Sequence, residues 1–195
     1  MSAAQLPISR FGHVELEDMP DDLRVRIQGI ADRSGFVPNV FRALARRPAE
    51  LRAFLDYHDA LMESDEGLSK AERELVVVAT SGANHCTYCV VAHGAILRVR
   101  MKDAEIADRV ATNPYGVELE PRHRAIVDLA LLIATESSAL TEPELDDARA
   151  AGLTDDEIWD IGAITALFAM SNRLAHLTAL RPNPEFFLMG RIPRS

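Results

Sequence analysis

Apolar positions along the chain follow the 3.6-residue period of α-helices. In DDLRVRIQGIADRSG, an acidic start precedes Leu23, Ile27 and Ile30, and Gly35 stands where the helix would end. The segment PNVFRALARRPAELRAFLDYHDALMES predicts two helices separated at Pro48, and the second carries one face made of Leu51, Phe54, Leu55, His58 and Leu61. No segment alternates apolar and polar residues as a strand would, so the sequence predicts an all-α protein.

The next segment, LSKAERELVVVATSGAN, predicts a helix of a different kind. Ser69 and Glu72 have the spacing of a capping box, which marks a helix start. The apolar run from Leu75 to Ala79 is too continuous for a surface helix, so this helix should be buried nearly all round. A second helix is predicted to follow it, from about His85 or Cys86 to Arg100.

The second half of the chain predicts further helices with acidic starts. Two more capping-box spacings occur, Thr141 with Glu144 and Thr154 with Glu157, and Gly152 supplies a stop between them. The segments that begin LSKAEREL and LTDDEIWDI have similar layouts, which hints at an internally duplicated helical pair.

The whole chain, residues 1–195, is long enough for one well-formed core with 48% hydrophobic residues, so a single domain is expected. Residues 1–20 contain prolines and a glycine but no helical period. We expect them to form an extended arm that lies on the surface or on a neighbouring subunit.

The charge balance and the absence of targeting signals restrict the partners and the location. The net charge is -9 and the pI is near 5.1, which argues against nucleic acid or an anionic membrane as the main partner. The N-terminal residues lack the apolar core of a signal peptide, and no stretch approaches the ~18 apolar residues of a membrane span. A cytoplasmic location is therefore expected.

The two cysteines of the chain, Cys86 and Cys89, lie in the segment NHCTYCVVAH. They are too close to cross-link distant parts of a fold, and in a reducing compartment such a pair is typical of catalysis or metal binding. On a helix, His93 shares a face with both cysteines and lies one turn after Cys89.

Thiol reactivity depends on the thiolate, which helix N-termini and nearby histidines favour. The helix start favours a low pKa for Cys86, whereas the imidazole of His93 can act directly on Cys89. Glu74 directly precedes LVVVA, where burial would raise its pKa toward the range that a proton relay needs. The alternative for Glu74 is an ordinary exposed glutamate at a helix start.

Glu74, Cys86-x-x-Cys89 and His93, spread over two consecutive helices, resemble the alkylhydroperoxidase AhpD-like group of the carboxymuconolactone decarboxylase superfamily. The segments FVPNVFRALARRPAELRAFLDYHDALM and RLAHLTALRPNPEF are similar to its branch of peroxidase-related enzymes, so the likeness extends from about residue 35 onward. It implies an all-helical fold, trimers or hexamers, and thiol-based reduction of organic hydroperoxides. General thiol–disulfide exchange is a close alternative.

The resemblance also implies roles for the four residues. Cys89 would attack the peroxide, Cys86 would resolve the product into a disulfide, and Glu74 and His93 would pass protons. An external dithiol or a disulfide reductase would supply electrons, and no bound cofactor or metal is expected. The chain departs from AhpD between the cysteines, where Thr87-Tyr88 stands and AhpD carries a histidine.

Two other interpretations stay open at this point. Cys86, Cys89 and His93 could be zinc ligands, completed by His85 or a distant histidine, although no second C-x-x-C is present. The cysteines could instead be buried packing residues of a helical oligomer without a reaction. Five further residues are interpreted as packing: His58, His176, Trp159, Phe168 and Met170.

Overall fold

The computed structural model describes residues 6–191, which form helices and connecting turns. The α-helices are α1 Asp21–Ser34, α2 Asn39–Leu44, α3 Pro48–Met62, α4 Lys70–Ala83, α5 Thr87–Met101, α6 Ile106–Thr112, α7 Pro121–Glu136, α8 Glu142–Ala150, α9 Asp155–Thr178 and α10 Glu185–Leu188. The described residues contain no β-strand, which confirms the all-α prediction. Among them, no helix is both long and apolar enough to span a membrane.

Helix α4 lies at the centre of the fold and packs against α3, α5, α6, α7 and α9. Every residue from Glu72 to Ser81 is buried, which confirms the prediction drawn from its continuous apolar run. At the end of α4, a Cβ on Gly82 would lie 2.8 Å from the carbonyl oxygen of Ala111 on α6. Glycine therefore permits the close approach of these two helices.

The helix ends predicted from capping residues are confirmed at Ser69, Thr154 and Gly35. The Ser69 hydroxyl accepts from the Glu72 backbone N–H at 3.3 Å, and the Glu72 carboxylate accepts from the Ser69 N–H at 2.8 Å. Thr154 and Glu157 form the same pair of bonds at the start of α9. Helix α1 ends at Gly35, whose φ of 85° lies in the left-handed region.

The hint of a duplicated helical pair is wrong, because the segment after Thr154 forms one continuous helix of 24 residues. In the segment that begins LSKAEREL, the helix ends at Ala83 and a turn follows, in which His85 adopts a φ of 55°. The later segment has no comparable break between Ile161 and Asn172. Gly162 lies inside this helix without interrupting it, because a single glycine weakens a helix without ending it.

The described part of the N-terminal arm packs on its own chain. The Arg10 N–H donates to the Thr178 carbonyl at 2.8 Å, and the Arg181 N–H donates to the Ile8 carbonyl at 3.0 Å. Further along, the Val14 N–H donates to the Arg42 carbonyl at 2.9 Å. The first five residues of the predicted arm lie outside the described residues.

A buried arginine holds the turn between α3 and α4. Arg73 is 1% exposed and donates to the carbonyl oxygens of Leu61, Glu66 and Leu68, the last at 2.9 Å. Its guanidinium also lies 2.9 Å from the carboxylate of Asp160 on α9. These bonds satisfy a buried charge and fix the start of α4, the helix that carries Glu74.

Candidate active site

Glu74 on α4 and His93 on α5 form a hydrogen-bonded pair inside the protein. Glu74 Oε2 lies 2.8 Å from His93 Nδ1, and the two side chains are 5% and 15% exposed. The alternative of an exposed glutamate at the helix start is therefore excluded. A carboxylate accepts the bond, so His93 carries a proton on Nδ1 and, when neutral, presents Nε2 as a proton acceptor.

The His93 ring packs between two side chains from other helices. Phe168 on α9 meets it edge-on at 4.7 Å between ring centroids, and His58 on α3 lies 6.4 Å away. His58 Nδ1 lies 3.1 Å from the carboxylate of Asp59. The sequence predicts both residues as core packing, and the structure places both beside His93. One feature of the sequence indicated this position, namely that His58 lies on the inward face of α3.

The two cysteines stand at the start of α5, and both are buried thiols. Cys86 is the N-cap residue, because the helix begins at Thr87, slightly later than predicted. Its N–H donates to the Ser81 carbonyl at 2.9 Å, and its carbonyl accepts from the Val90 N–H at 3.0 Å. Cys89 follows in the first turn, with His93 one turn further along.

The two thiols have opposite pKa shifts. A hydrogen bond from the Cys89 thiol, aided by the Cys89 backbone amide, the charge of His176 and the Asn172 side chain, lowers the pKa of Cys86 to about 6 against the effect of burial. The same thiol–thiol hydrogen bond, burial and the negative charge of Cys86 raise the pKa of Cys89 well above its ordinary value. In the reduced pair, Cys86 is therefore the thiolate and Cys89 retains its proton.

A stripe of side chains on α9 borders the whole site, with Phe168, Asn172 and His176 spaced four residues apart. Asn172 is fully buried, donates to the Ser81 hydroxyl at 3.1 Å and accepts from the Asn84 amide at 3.0 Å. It also contributes to the pKa values of both cysteines. Asn172 is not among the residues predicted from the sequence, and the signal that could have found it is this four-residue spacing.

Tyr88, which stands where the sequence departs from AhpD, has a structural contact. Its hydroxyl accepts from the Val40 N–H at 3.1 Å, and the residue is 5% exposed. Burial raises the pKa of Tyr88, so the phenol stays protonated. The side chain therefore ties α5 to the start of α2.

The zinc alternative is not supported by the geometry. Within residues 6–191, no three side chains of His, Cys, Asp or Glu converge as metal ligands would. Instead, Glu74 is hydrogen-bonded to His93, and the cysteines lie beside α9.

Comparisons with known proteins identify the class to which this fold and site belong. The model of the carboxymuconolactone decarboxylase family matches residues 48–113, a range that contains Glu74, both cysteines and His93. The chain is 54% identical to the alkylhydroperoxidase AhpD core, an uncharacterized peroxidase-related protein from Ralstonia eutropha JMP134. That structure aligns with a TM-score of 0.95 over 97% of this chain and 100% of the other. The chain therefore belongs to the carboxymuconolactone decarboxylase family, in its AhpD-like group.

Two further structures support the fold. An uncharacterized peroxidase-related protein from Silicibacter sp. TM1040 is 32% identical, with a TM-score of 0.89 over 98% of this chain and 100% of the other. The debrominase Bmp8 is 15% identical with a TM-score of 0.77 over 96% of this chain and 98% of its own, a likeness of fold alone. No protein of curated function matches the chain.

Proposed function

We propose that the protein is a thiol-dependent peroxidase that reduces organic hydroperoxides with Cys86 and Cys89. The observation that carries the proposal is the buried Glu74–His93 pair, which lies one helical turn from a cysteine pair with a single low-pKa thiol. Membership of the AhpD-like group supports the same reaction class. Cys89 attacks, Cys86 resolves, and Glu74 and His93 relay protons.

The reaction proceeds in three balanced steps. The Cys89 thiolate attacks the terminal peroxide oxygen, the O–O bond breaks, and ROOH becomes ROH while Cys89 becomes a sulfenic acid. The Cys86 thiolate then attacks the sulfur of that sulfenic acid, and a disulfide forms. The displaced hydroxide takes up one proton and leaves as water. An external dithiol reduces the disulfide and is itself oxidised to a disulfide.

The raised pKa of Cys89 explains why the site needs a base. At neutral pH this thiol is protonated, so its proton must be removed as the peroxide binds. His93 is one turn away on the same helix and, with Nδ1 bound to Glu74, presents Nε2 as the acceptor. Glu74 then stabilises the imidazolium that forms, and the proton returns to the leaving alkoxide.

Burial of the sulfurs constrains the electron donor. Cys86 is 0% and Cys89 2% exposed, so a slender dithiol arm reaches them with less rearrangement than a broad protein surface. Dithiols of this kind occur in the reducing cytoplasm, the location expected for the protein.

A second copy of the chain is the proposed occupant of the outer face of α9. Met170, Leu174 and Leu177 lie on the side of α9 opposite Phe168, Asn172 and His176, and all three are exposed. Met170 and Leu174 border an apolar groove of about 560 Å³ that residues of α2 and α3 also line. A helix that is apolar on both sides is typical of an oligomer interface, which agrees with the homo-oligomer that the resemblance implies.

Peroxide consumption tests the proposal directly. Reduced wild type should consume cumene hydroperoxide in the presence of dithiothreitol, whereas the Cys89→Ser variant should consume it no faster than buffer. Equal turnover by the two proteins would contradict the proposal. Reduction of small disulfides without consumption of peroxide would identify general thiol–disulfide exchange instead.

A further inference from the structure

His176, near the end of α9, lies at the turn that leads into the cysteine pair. Its Nε2 is 3.2 Å from the carbonyl oxygen of His85, the residue that directly precedes Cys86. A carbonyl can only accept, so Nε2 carries the proton of this bond, and protonation of the other ring nitrogen makes His176 a cation. The imidazole is exposed to solvent.

The turn contacted by His176 has an uncommon backbone conformation. His85 has a φ of 55°, in the left-handed region that side chains other than glycine rarely adopt. Hydrogen bonds from the His85 N–H to the Gly82 carbonyl and from the Cys86 N–H to the Ser81 carbonyl, both 2.9 Å, hold the chain there. This conformation leaves the His85 carbonyl to accept from α9 and places Cys86 at the N-cap of α5.

The groups that can influence the charge on Cys86 come from three elements. Cys89 and Tyr88 belong to α5, His85 to the turn, and His176 to α9, while the α4 neighbour Ser81 is uncharged. Tyr88 is protonated, and Cys89 retains its proton and donates it in the hydrogen bond to Cys86. His176 is the group whose positive charge acts on Cys86.

We propose that His176 is a positioning residue for the redox pair: its imidazolium, held against the His85 carbonyl, keeps the negative charge of the reduced pair on Cys86. The inference rests on the redox pair of the proposed function. Stabilising the thiolate favours the reduced dithiol over the disulfide, and it makes Cys86 the better leaving group when a donor attacks Cys89. His176 thus favours regeneration of the reduced enzyme.

Alkylation of Cys86 as a function of pH measures this effect. The full-length reduced protein is treated with iodoacetamide between pH 5 and 9, and the Cys86 peptide is quantified by mass spectrometry. In His176→Gln the midpoint of the pH profile of Cys86 alkylation should rise by about half a pH unit to one pH unit. The alkylation rate at pH 6 should therefore fall about threefold. His176→Lys, which keeps a cation, should restore most of the rate. The matched control His123→Gln changes a histidine on α7 and should titrate as wild type.

Two outcomes would overturn the inference: a His176→Gln midpoint equal to that of His123→Gln, or equal shifts in His176→Gln and His176→Lys. Circular dichroism checks that each variant is folded, and the Lys variant provides the test if the Gln variant is not. As a second readout, the disulfide of His176→Gln should be harder to reduce in a glutathione redox buffer. Because neither readout uses peroxide, failure of the peroxidase proposal would leave these results interpretable on their own.

Discussion

Glu74 and His93 come from consecutive helices and meet through a 2.8 Å contact between Glu74 Oε2 and His93 Nδ1. The contact fixes the tautomer of His93 and directs its second nitrogen away from the carboxylate. Glu74 belongs to the central helix α4, and its side chain is 5% exposed, so the contact is shielded from solvent. A carboxylate–imidazole pair of this kind can accept a proton and hold it, which is the task that the proposed attack by Cys89 requires.

Replacing Glu74 with glutamine tests this relay. Glu74→Gln keeps the size of the side chain but removes the charge that stabilises the imidazolium, so kcat/KM for organic hydroperoxide should fall by about 10²- to 10⁴-fold. The measurement is steady-state peroxide consumption with saturating dithiol. The control Glu63→Gln neutralises an exposed glutamate before α4 and should leave the rate near that of wild type. An unchanged rate for Glu74→Gln in a folded protein would remove Glu74 from the relay.

The order in which the cysteines react can be determined with single-turnover experiments. In Cys86→Ser, Cys89 should still reduce one equivalent of peroxide and stop as a sulfenic acid, which dimedone traps. Cys89→Ser should form no sulfenic acid, because Cys86 stands two helical turns before His93, whereas Cys89 stands one turn before it. The reverse pattern, with dimedone on Cys86 only, would assign the attack to Cys86, the thiol with the lower pKa.

Much of the fold could be predicted from the sequence, because helix ends and burial have local signals. The capping boxes at Ser69 and Thr154 and the apolar run in α4 each depend on residues a few positions apart. The contact of α9 with the cysteines depends on residues about 90 positions apart, such as Asn172 with Ser81. Such a contact leaves no local pattern, so His176 was interpreted as packing although it lies beside the turn before Cys86.

The reduced pair should titrate with a strong preference for one thiol. Since the pKa of Cys86 is lowered to about 6, its alkylation rate should be nearly constant above pH 7 and fall about tenfold per unit below pH 6. The Cys89 thiol is the main cause of the low pKa, so Cys89→Ala should move the midpoint upward. Peptide mapping after iodoacetamide treatment checks both statements. Preferential labelling of Cys89 in wild type at pH 7 would contradict the assignment of the thiolate.

Arg73 should contribute to stability far more than the surface ion pairs. Arg73→Met leaves buried carbonyl oxygens and the Asp160 carboxylate without their donor, which should lower the free energy of unfolding by about 3–5 kcal/mol. Urea unfolding followed by circular dichroism measures the change. Arg149 binds three carboxylates at the surface, and Arg149→Met should shift the midpoint much less because solvent screens these pairs. Equal losses of stability in Arg73→Met and Arg149→Met would mean that burial of Arg73 does not increase its contribution to stability.

The outer face of α9 should mediate self-association. Met170 is 44% exposed and lies on the side of the helix opposite Phe168, so Met170→Glu places a charge in the proposed interface without touching the site. We expect wild type to elute as an oligomer, and Met170→Glu to dissociate toward the monomer, because a buried unpaired carboxylate opposes association. Size-exclusion chromatography with multi-angle light scattering gives the mass. Tyr115→Glu alters an aromatic residue away from α9 that is 78% exposed, and it serves as the control. A monomeric wild type would contradict self-association, and loss of assembly in the control alone would place the interface elsewhere.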